Sequence, residues 1–267
     1  LTVEDRYKIF YPISKTSLTG SKTFLGTVAI SVVRDPYIMN YIPLPQYRTG
    51  SVDDSSWKFT IPITFEFASE KNTSKTPVIK LISAEFVVLT IKSEKNIIPL
   101  PFSHDFLIDD GAIVENPPRL AVVYNSAFEK MAIRPIKNRA KKLSEIAKKL
   151  GKDMFLVDGN IMADIESMDL STQYLNMLVE SKAEMSDWKL SENGQTRKKE
   201  VSLNVDITTA SLKGYDKTSD AAYNYSTFVP SFQSCSMARF YFVKVIITMQ
   251  KHDVLVLNVP VEVVNEK

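Results

Sequence analysis

Trp57-Lys58-Phe59-Thr60-Ile61-Pro62-Ile63-Thr64-Phe65-Glu66-Phe67 alternates apolar and polar side chains with hardly a break. A strand turns successive side chains to opposite faces, so this spacing puts the aromatic and isoleucine residues on one face. Lys58, Thr60, Thr64 and Glu66 fall on the other, the signature of a half-buried strand. Pro62 has no N–H to give to a ladder, so an edge position or a bulge is expected there.

The same period runs outward in both directions. Phe24–Val33 reads as a strand after the turn at Thr19-Gly20, and Ile79–Lys92 is the longest apolar run, with Val87-Val88-Leu89 implying cover on both faces. Met154–Val157, Tyr174–Glu184, Glu200–Thr208, Phe240–Gln250 and Val254–Val264 follow. Polar and proline clusters separate them: Asp53-Asp54-Ser55-Ser56, Lys71–Thr76, Asn116-Pro117-Pro118 and Lys213–Asn224. About ten strands at such spacing predict an all-β, two-sheet sandwich of the immunoglobulin type and not alternating βα units. Within it Phe240, Phe242 or their neighbours on one face, with Val245 and Ile247, are expected to be buried.

One segment departs from this period. Ile136, Ala140, Leu143, Ala147 and Leu150 follow helical spacing, with Pro135 suited to the first turn and Gly151 to the C-terminal cap. The predicted helix, residues 135–150, is strongly basic. Arg134, Lys137, Arg139, Lys141, Lys142, Lys148, Lys149 and Lys152 face a single acid, Glu145, so the segment carries +7 and the rest of a chain of net +2 carries −5. A helix so charged repels itself, since one glutamate supplies few i,i+4 pairs. The patch therefore reads as a site for an anionic partner: an acidic or phosphorylated protein tail, or acidic lipid headgroups, each cation near such a membrane being worth about 1 kcal/mol. Nucleic acid is the least favoured of the anionic partners and is not expected, because the helix has no interleaved aromatics for base stacking and the remaining surface is acidic.

Composition removes several other classes. The 267 residues are 44% apolar and 24% charged, an ordinary globular balance. The lone Cys235 rules out an internal disulfide framework and fits a reducing compartment; flanked by Phe232 and Phe240, it reads as a small buried hydrophobe. No apolar run reaches the roughly 20 residues that span a bilayer. Glu4, Asp5, Arg6 and Lys8 stand where a signal peptide would be apolar, and Leu1 in place of a methionine suggests a piece of a longer chain. The expectation is a cytoplasmic module.

Catalytic parts are missing. His104 and His252 have no metal-ligand spacing around them. His104-Asp105 has no serine in a G-x-S-x-G elbow to serve, and the eight glycines form neither nucleotide fingerprint. The reading is a binding module without enzyme activity, metal or cofactor. Leu44-Pro45-Gln46-Tyr47 is a degenerate ligand for a WW domain: Pro45 and Tyr47 have the right separation, but Leu44 replaces the second proline of the usual motif. Asn116-Pro117-Pro118 has the prolines without the tyrosine.

The C-terminal third carries a family resemblance. Phe228-Val-Pro-Ser-Phe-Gln-Ser-Cys-Ser-Met-Ala-Arg-Phe-Tyr-Phe-Val-Lys-Val, followed by Val254-Leu-Val-Leu-Asn-Val-Pro-Val-Glu-Val, resembles the closing strands of an arrestin-like C-terminal domain. Ser17-Leu-Thr-Gly-Ser-Lys-Thr-Phe-Leu-Gly-Thr-Val and Ile79-Lys-Leu-Ile-Ser-Ala-Glu-Phe-Val-Val-Leu-Thr look like the C-terminal half of fungal α-arrestins of the Bul type. The resemblance starts near Leu18 and is weakest over 127–152, the basic stretch. It implies an arrestin-like sandwich over residues 21–267, with 1–20 as a connecting segment from a preceding arrestin-like region.

The resemblance also implies a role: adaptors that recognise plasma-membrane transporters and recruit a HECT-type ubiquitin ligase through its WW domains, for ubiquitination and endocytosis. Such a protein works in the cytoplasm, peripherally at the plasma membrane or endosomes. The family's Pro-Pro-x-Tyr motif does not occur here, so the ligase contact is expected from a motif elsewhere or from the variant at Leu44–Tyr47. The basic helix is then the reader of acidic transporter tails, with anionic lipids assisting. Competing expectations are an arrestin-fold coat subunit of the retromer class and a phosphoinositide-binding membrane module.

Overall fold

Ile61, Ile63, Phe65 and Phe67 are buried in a row, so the stretch that predicted a half-buried strand forms one, from Lys58 to Ser69. The computed structural model describes residues 6–16, 22–33, 35–43, 47, 53–69, 76–93, 98, 137–138, 141–142, 145, 149, 165, 170–191, 194–212, 228–250 and 254–265. Within them lie β1 (Arg6–Thr16), β2 (Lys22–Val33), β3 (Tyr37–Asn40), a 3-10 turn (Ser55–Trp57), β4 (Lys58–Ser69), β5 (Ile79–Ser93) and β6 (Leu170–Met185). β7 (Lys189–Leu190), β8 (Thr196–Leu212), β9 (Phe232–Gln233), β10 (Met237–Met249) and β11 (Val254–Val264) complete the fold. The architecture is all-β and arrestin-like.

Hydrogen bonding links the strands in the order β1-β2-β4-β8-β6-β5-β10-β11-β3, antiparallel except for β3 against β11. The two expected layers are thus stitched into one curled sheet, and β6 is the stitch. Its first half, Leu170–Leu178, pairs with β5; its second half, Glu180–Met185, pairs with β8. At the changeover Val179 stands across from the whole run Ile207–Ala210, a wide bulge of the kind that bends strands and turns corners. Asp206 holds the bulge: its carboxylate accepts from the Thr208 amide at 3.0 Å, and Thr209 Oγ1 donates to the Asp206 carbonyl at 2.7 Å while accepting the Glu180 amide at 2.8 Å.

One core fills the space between the layers. Val28, Ile30 and Val32 of β2 and Val201, Leu203 and Val205 of β8 meet Phe86, Tyr241, Val243, Val245 and Val261 from the opposite layer. At its centre the Phe86 ring lies edge-on to Phe228 at 4.9 Å and stacks on Tyr241 at 5.8 Å, and Trp57 closes on Phe228 at 5.3 Å. The curl brings β3 back to β4: Tyr37 stacks on Phe59 at 4.7 Å, and the Trp57 indole donates to the Asn40 carbonyl at 2.8 Å.

The Tyr241 hydroxyl donates to the Val229 carbonyl at 2.6 Å and fastens the approach to β9 onto the core. Burial pushes its pKa up to about 12, with Arg239 acting in the opposite sense. The unfolded chain releases this proton near pH 10 and the folded chain does not, so stability is full below pH 10 and falls between there and about 12. Tyr241→Phe is expected to flatten that alkaline slope, at a cost near neutral pH of about 1 kcal/mol for the lost hydrogen bond. Denaturation midpoints on both sides of pH 10 check both effects; a slope unchanged in the variant assigns the titration to another group.

Three expectations need correction. Residues 6–16 are not a connector: β1 pairs with β2 from Arg6↔Val33 to Thr16↔Lys22, and Ile9, Tyr11 and Ile13 pack against the core. Pro62 is neither in an edge strand nor at a bulge. It lies in interior β4 in unbroken register with β8, just past Ile63, where the described β2 pairing ends, so its missing N–H leaves no ladder position unfilled. The burial expected in β10 holds: Tyr241 and Val243, the neighbours of Phe240 and Phe242, share a buried face with Val245 and Ile247, and Phe240 and Phe242 are buried on the other. Cys235 is exposed: it sits in the tight β9–β10 turn, where Ser234 N donates to the Met237 carbonyl at 2.7 Å and the intervening side chains point outward.

Candidate functional site

Lysine has a long flexible stem and a compact charge, so a row of lysines becomes a site only when the backbone aligns them. Lys137, Asn138, Lys141, Lys142, Glu145 and Lys149 are each helical; Lys141, Lys142, Glu145 and Lys149 are exposed and Lys137 is half-buried. At 3.6 residues per turn, steps of four keep Lys137, Lys141, Glu145 and Lys149 along one ridge about 6 Å apart, with Lys142 on the next. Four cations against one acid give this face a net positive field. The apolar stripe Ile136, Ala140, Leu143, Ala147 and Leu150, expected on the opposite side, lies outside the described residues. Arg134, Arg139, Lys148 and Lys152, also assigned to the patch, lie outside the described residues.

Of the Leu44-Pro45-Tyr47 ligand, Tyr47 is 69% exposed, accessible as a WW ligand requires, and Leu44 and Pro45 lie outside the described residues. His104 and His252, the strand expected at Met154–Val157, and Asn116-Pro117-Pro118 lie outside them as well.

The described surface has one further concavity of note, a shallow open groove of about 660 Å³ along β4, β8 and β6. Lys58, Thr60, Glu180, Lys182, Asn204 and Asp206 line it. Two pairs of its polar groups meet: Lys58 Nζ lies 3.9 Å from Asp206 Oδ2, and Thr60 Oγ1 donates to Asn204 Oδ1 at 2.6 Å. Its charges are of mixed sign, which gives it no preference for a ligand of one charge. Among the described residues, no group of three or more His, Cys, Asp or Glu side chains could hold a metal ion, and no helix is long and apolar enough to cross a membrane.

A feature that the strand periodicity only hinted at lies on the outside of the β5–β10 layer. Val87, Leu89 and Ile91 of β5, with Ala238, Phe240 and Phe242 of β10, are buried although they face away from the main core. Next to them Lys244 Nζ and Glu85 Oε2 form a cross-strand ion pair at 3.5 Å, each side chain only 12% exposed. The signal in the sequence was the unbroken apolar run at Val87-Val88-Leu89, matched by Phe240-Tyr241-Phe242-Val243.

Comparison with known proteins bears on most of the chain, residues 51–266. The family model described as Bul1 C terminus matches residues 51–225 and 179–266. No curated protein matches the chain.

Proposed function

The chain belongs to the Bul1 C-terminus family, an arrestin-like adaptor family, and from that premise we propose that it is a non-catalytic module that selects membrane-transporter cargo for ubiquitination by a WW-domain HECT-type ligase. The observation that carries the cargo half of this reading is the lysine row. Lys137, Lys141, Lys142 and Lys149 converge on one side of a helical segment in a chain whose remainder is net acidic. Such a localised field speeds and orients encounter with an acidic, extended tail more than it adds raw affinity. In this reading anionic headgroups beside the tail add to the same attraction, and the module works peripherally at the plasma membrane or endosomes. The ligase half is supported by the family and by the accessibility of Tyr47, and the contact runs through a motif elsewhere or through Leu44–Tyr47.

The test is calorimetric titration of the chain with a glutamate-rich cytosolic tail peptide of a plasma-membrane transporter, its glutamine counterpart serving as control. Binding is expected for the acidic peptide alone, weakening by about tenfold or more between low and physiological salt. Binding that ignores salt, or that persists for the glutamine peptide, removes the electrostatic reading. Binding to phosphoinositide vesicles with none to either peptide assigns the patch to the membrane instead.

A further inference from the structure

Strand β8 changes character along its core-facing side. Val205, Leu203 and Val201 are buried there, and the next two positions of the same phase are Lys199 and Arg197, both half-buried. Strand β7 pairs with this end, Lys189 opposite Lys198 and Leu190 opposite Arg197. Lys198 reaches Glu200 at 2.8 Å. Among the described residues Lys189, Arg197 and Lys199 have no acidic partner within ion-pair distance. Lys199 Nζ lies instead 6.0 Å from the centre of the Trp188 ring. Like charges directly across an antiparallel pair destabilise it, and a half-buried cation gives up part of its hydration. The arrangement asks for anions from outside the chain.

The same ribbon is apolar on its surface. Leu190, between these cations, is 66% exposed. Trp188 packs edge-on to Phe67 at 6.5 Å and is only half-buried, so one indole joins the core to the surface. The turn beyond closes on itself: the Ser191 amide donates to the Thr196 carbonyl at 2.8 Å, and the Gly194 amide to the Ser191 carbonyl at 2.9 Å. Gly194 has φ +66, and a Cβ placed there would meet nothing within 4 Å, so this end of the ribbon stands in the open.

We propose that the paired strands Trp188–Leu190 and Thr196–Lys199 are a contact for an anionic membrane surface. Leu190 enters the interface, Trp188 lies at headgroup level, and Lys189, Arg197 and Lys199 meet the lipid phosphates and carboxylates. A bilayer fits better than an acidic peptide. At two residues β7 is too short an edge to seat an added strand, and the groove described above runs elsewhere, along Lys58, Thr60 and Lys182. An exposed leucine beside a tryptophan, bordered by cations on long stems, matches the graded polarity of a lipid interface. Asp187 and Glu192 lower the local charge, so the cations alone attract weakly and the leucine is needed to hold. The proposal goes beyond the cargo reading and stands without it, because none of these residues belongs to the basic helix.

The intact chain carries its own reporter. Of its two tryptophans, Trp57 is 2% exposed, which leaves Trp188 as the one that added lipid can reach. With vesicles of phosphatidylserine and brominated phosphatidylcholine, Trp188 emission is expected to be quenched; with brominated phosphatidylcholine alone it is not. Leu190→Ser should weaken partitioning by about tenfold or more. Lys189→Gln with Arg197→Gln should weaken it on the order of tenfold. Both variants change exposed or half-exposed side chains, so the denaturation midpoint is expected to stay close to that of the parent. Lys141→Glu with Lys142→Glu and Lys149→Glu should keep the quenching at saturating lipid, so a failure of the cargo reading appears in peptide binding alone. Absence of vesicle binding, binding that leaves Trp188 unquenched, or quenching unchanged in both ribbon variants overturns the proposal. A glutamate-rich peptide that shifts Trp188 emission where vesicles do not would make the ribbon a peptide site and overturn it as well.

Discussion

Phe86→Ala is expected to destabilise the fold by about 3–5 kcal/mol, measured as a shift in the chemical-denaturation midpoint at constant slope. Phe86 has no exposed surface and sits where the two layers and the incoming 228–230 segment meet. Its ring is the shared neighbour of Phe228 and Tyr241, so alanine leaves a cavity whose walls belong to three separate parts of the chain. Collapse to fill it would require the opposite layer to move in, and the strand ladders that stitch the two layers into one curled sheet resist that. The cost therefore belongs at the upper end of the usual range, against a total margin of about 5–15 kcal/mol. Phe86→Leu, which keeps most of the volume, should cost appreciably less. A loss below about 1 kcal/mol for alanine would place the centre of the core elsewhere.

The strands that were legible in the sequence are the ones whose two faces differ. β4 and β11 alternate because one side meets the core and the other meets water or a thin cover. β1 was missed although Ile9, Tyr11 and Ile13 alternate correctly, because Phe10 and Pro12 stand at the outward positions and erase the polar phase. Phe10 is exposed on a strand that pairs only with β2 among the described residues, and Pro12 is tolerated there for the same reason. β10 was legible as a strand but not as a strand with two buried faces, since Phe240-Tyr241-Phe242-Val243 has no polar phase at all. Assigning its faces needed the register: Tyr241 opposite Val88 on the core side, Phe242 opposite Val87 on the outer side. Pro62 and Pro260 make the same point about neighbours. Each lies inside a long strand, one residue beyond the stretch where a second strand pairs, Ile63 with β2 and Val261 with β3. Composition shows that a proline needs an unpaired side, and only topology shows which strand runs short. The basic helix, in contrast, was read from local spacing, because lysines four residues apart share a side whatever the rest of the chain does. What spacing did not hold was the buried outer face, which comes from pairing β5 with β10, residues 150 or so apart in sequence.

Reversing Lys141, Lys142, Lys148 and Lys149 to glutamate is expected to abolish binding to an acidic transporter tail, a loss of at least about a hundredfold, with the denaturation midpoint nearly unchanged. The size follows from sign and not from the loss of any one contact. The segment from Arg134 to Lys152 carries +7, and four reversals take it to −1, so attraction becomes repulsion and like charges brought together cost several kcal/mol. The small effect on stability follows from position: Lys141, Lys142 and Lys149 are exposed and helical, and exposed charges contribute little to folding. A glutamate is as good a helix former as a lysine, so local propensity is unaffected as well. Arg139 is left in place because its planar fork is the group best able to grip a carboxylate at two points, and Arg139→Lys provides the finer test. If a two-point grip contributes, that single change weakens tail binding several-fold although the charge is conserved. In cells, transporter down-regulation by the adaptor should fail with the fourfold reversal and persist with four glutamines only in proportion to residual binding. Normal affinity and normal endocytosis with the reversed helix would leave it a solvated surface element, and cargo selection would then have to be sought on the sheet itself.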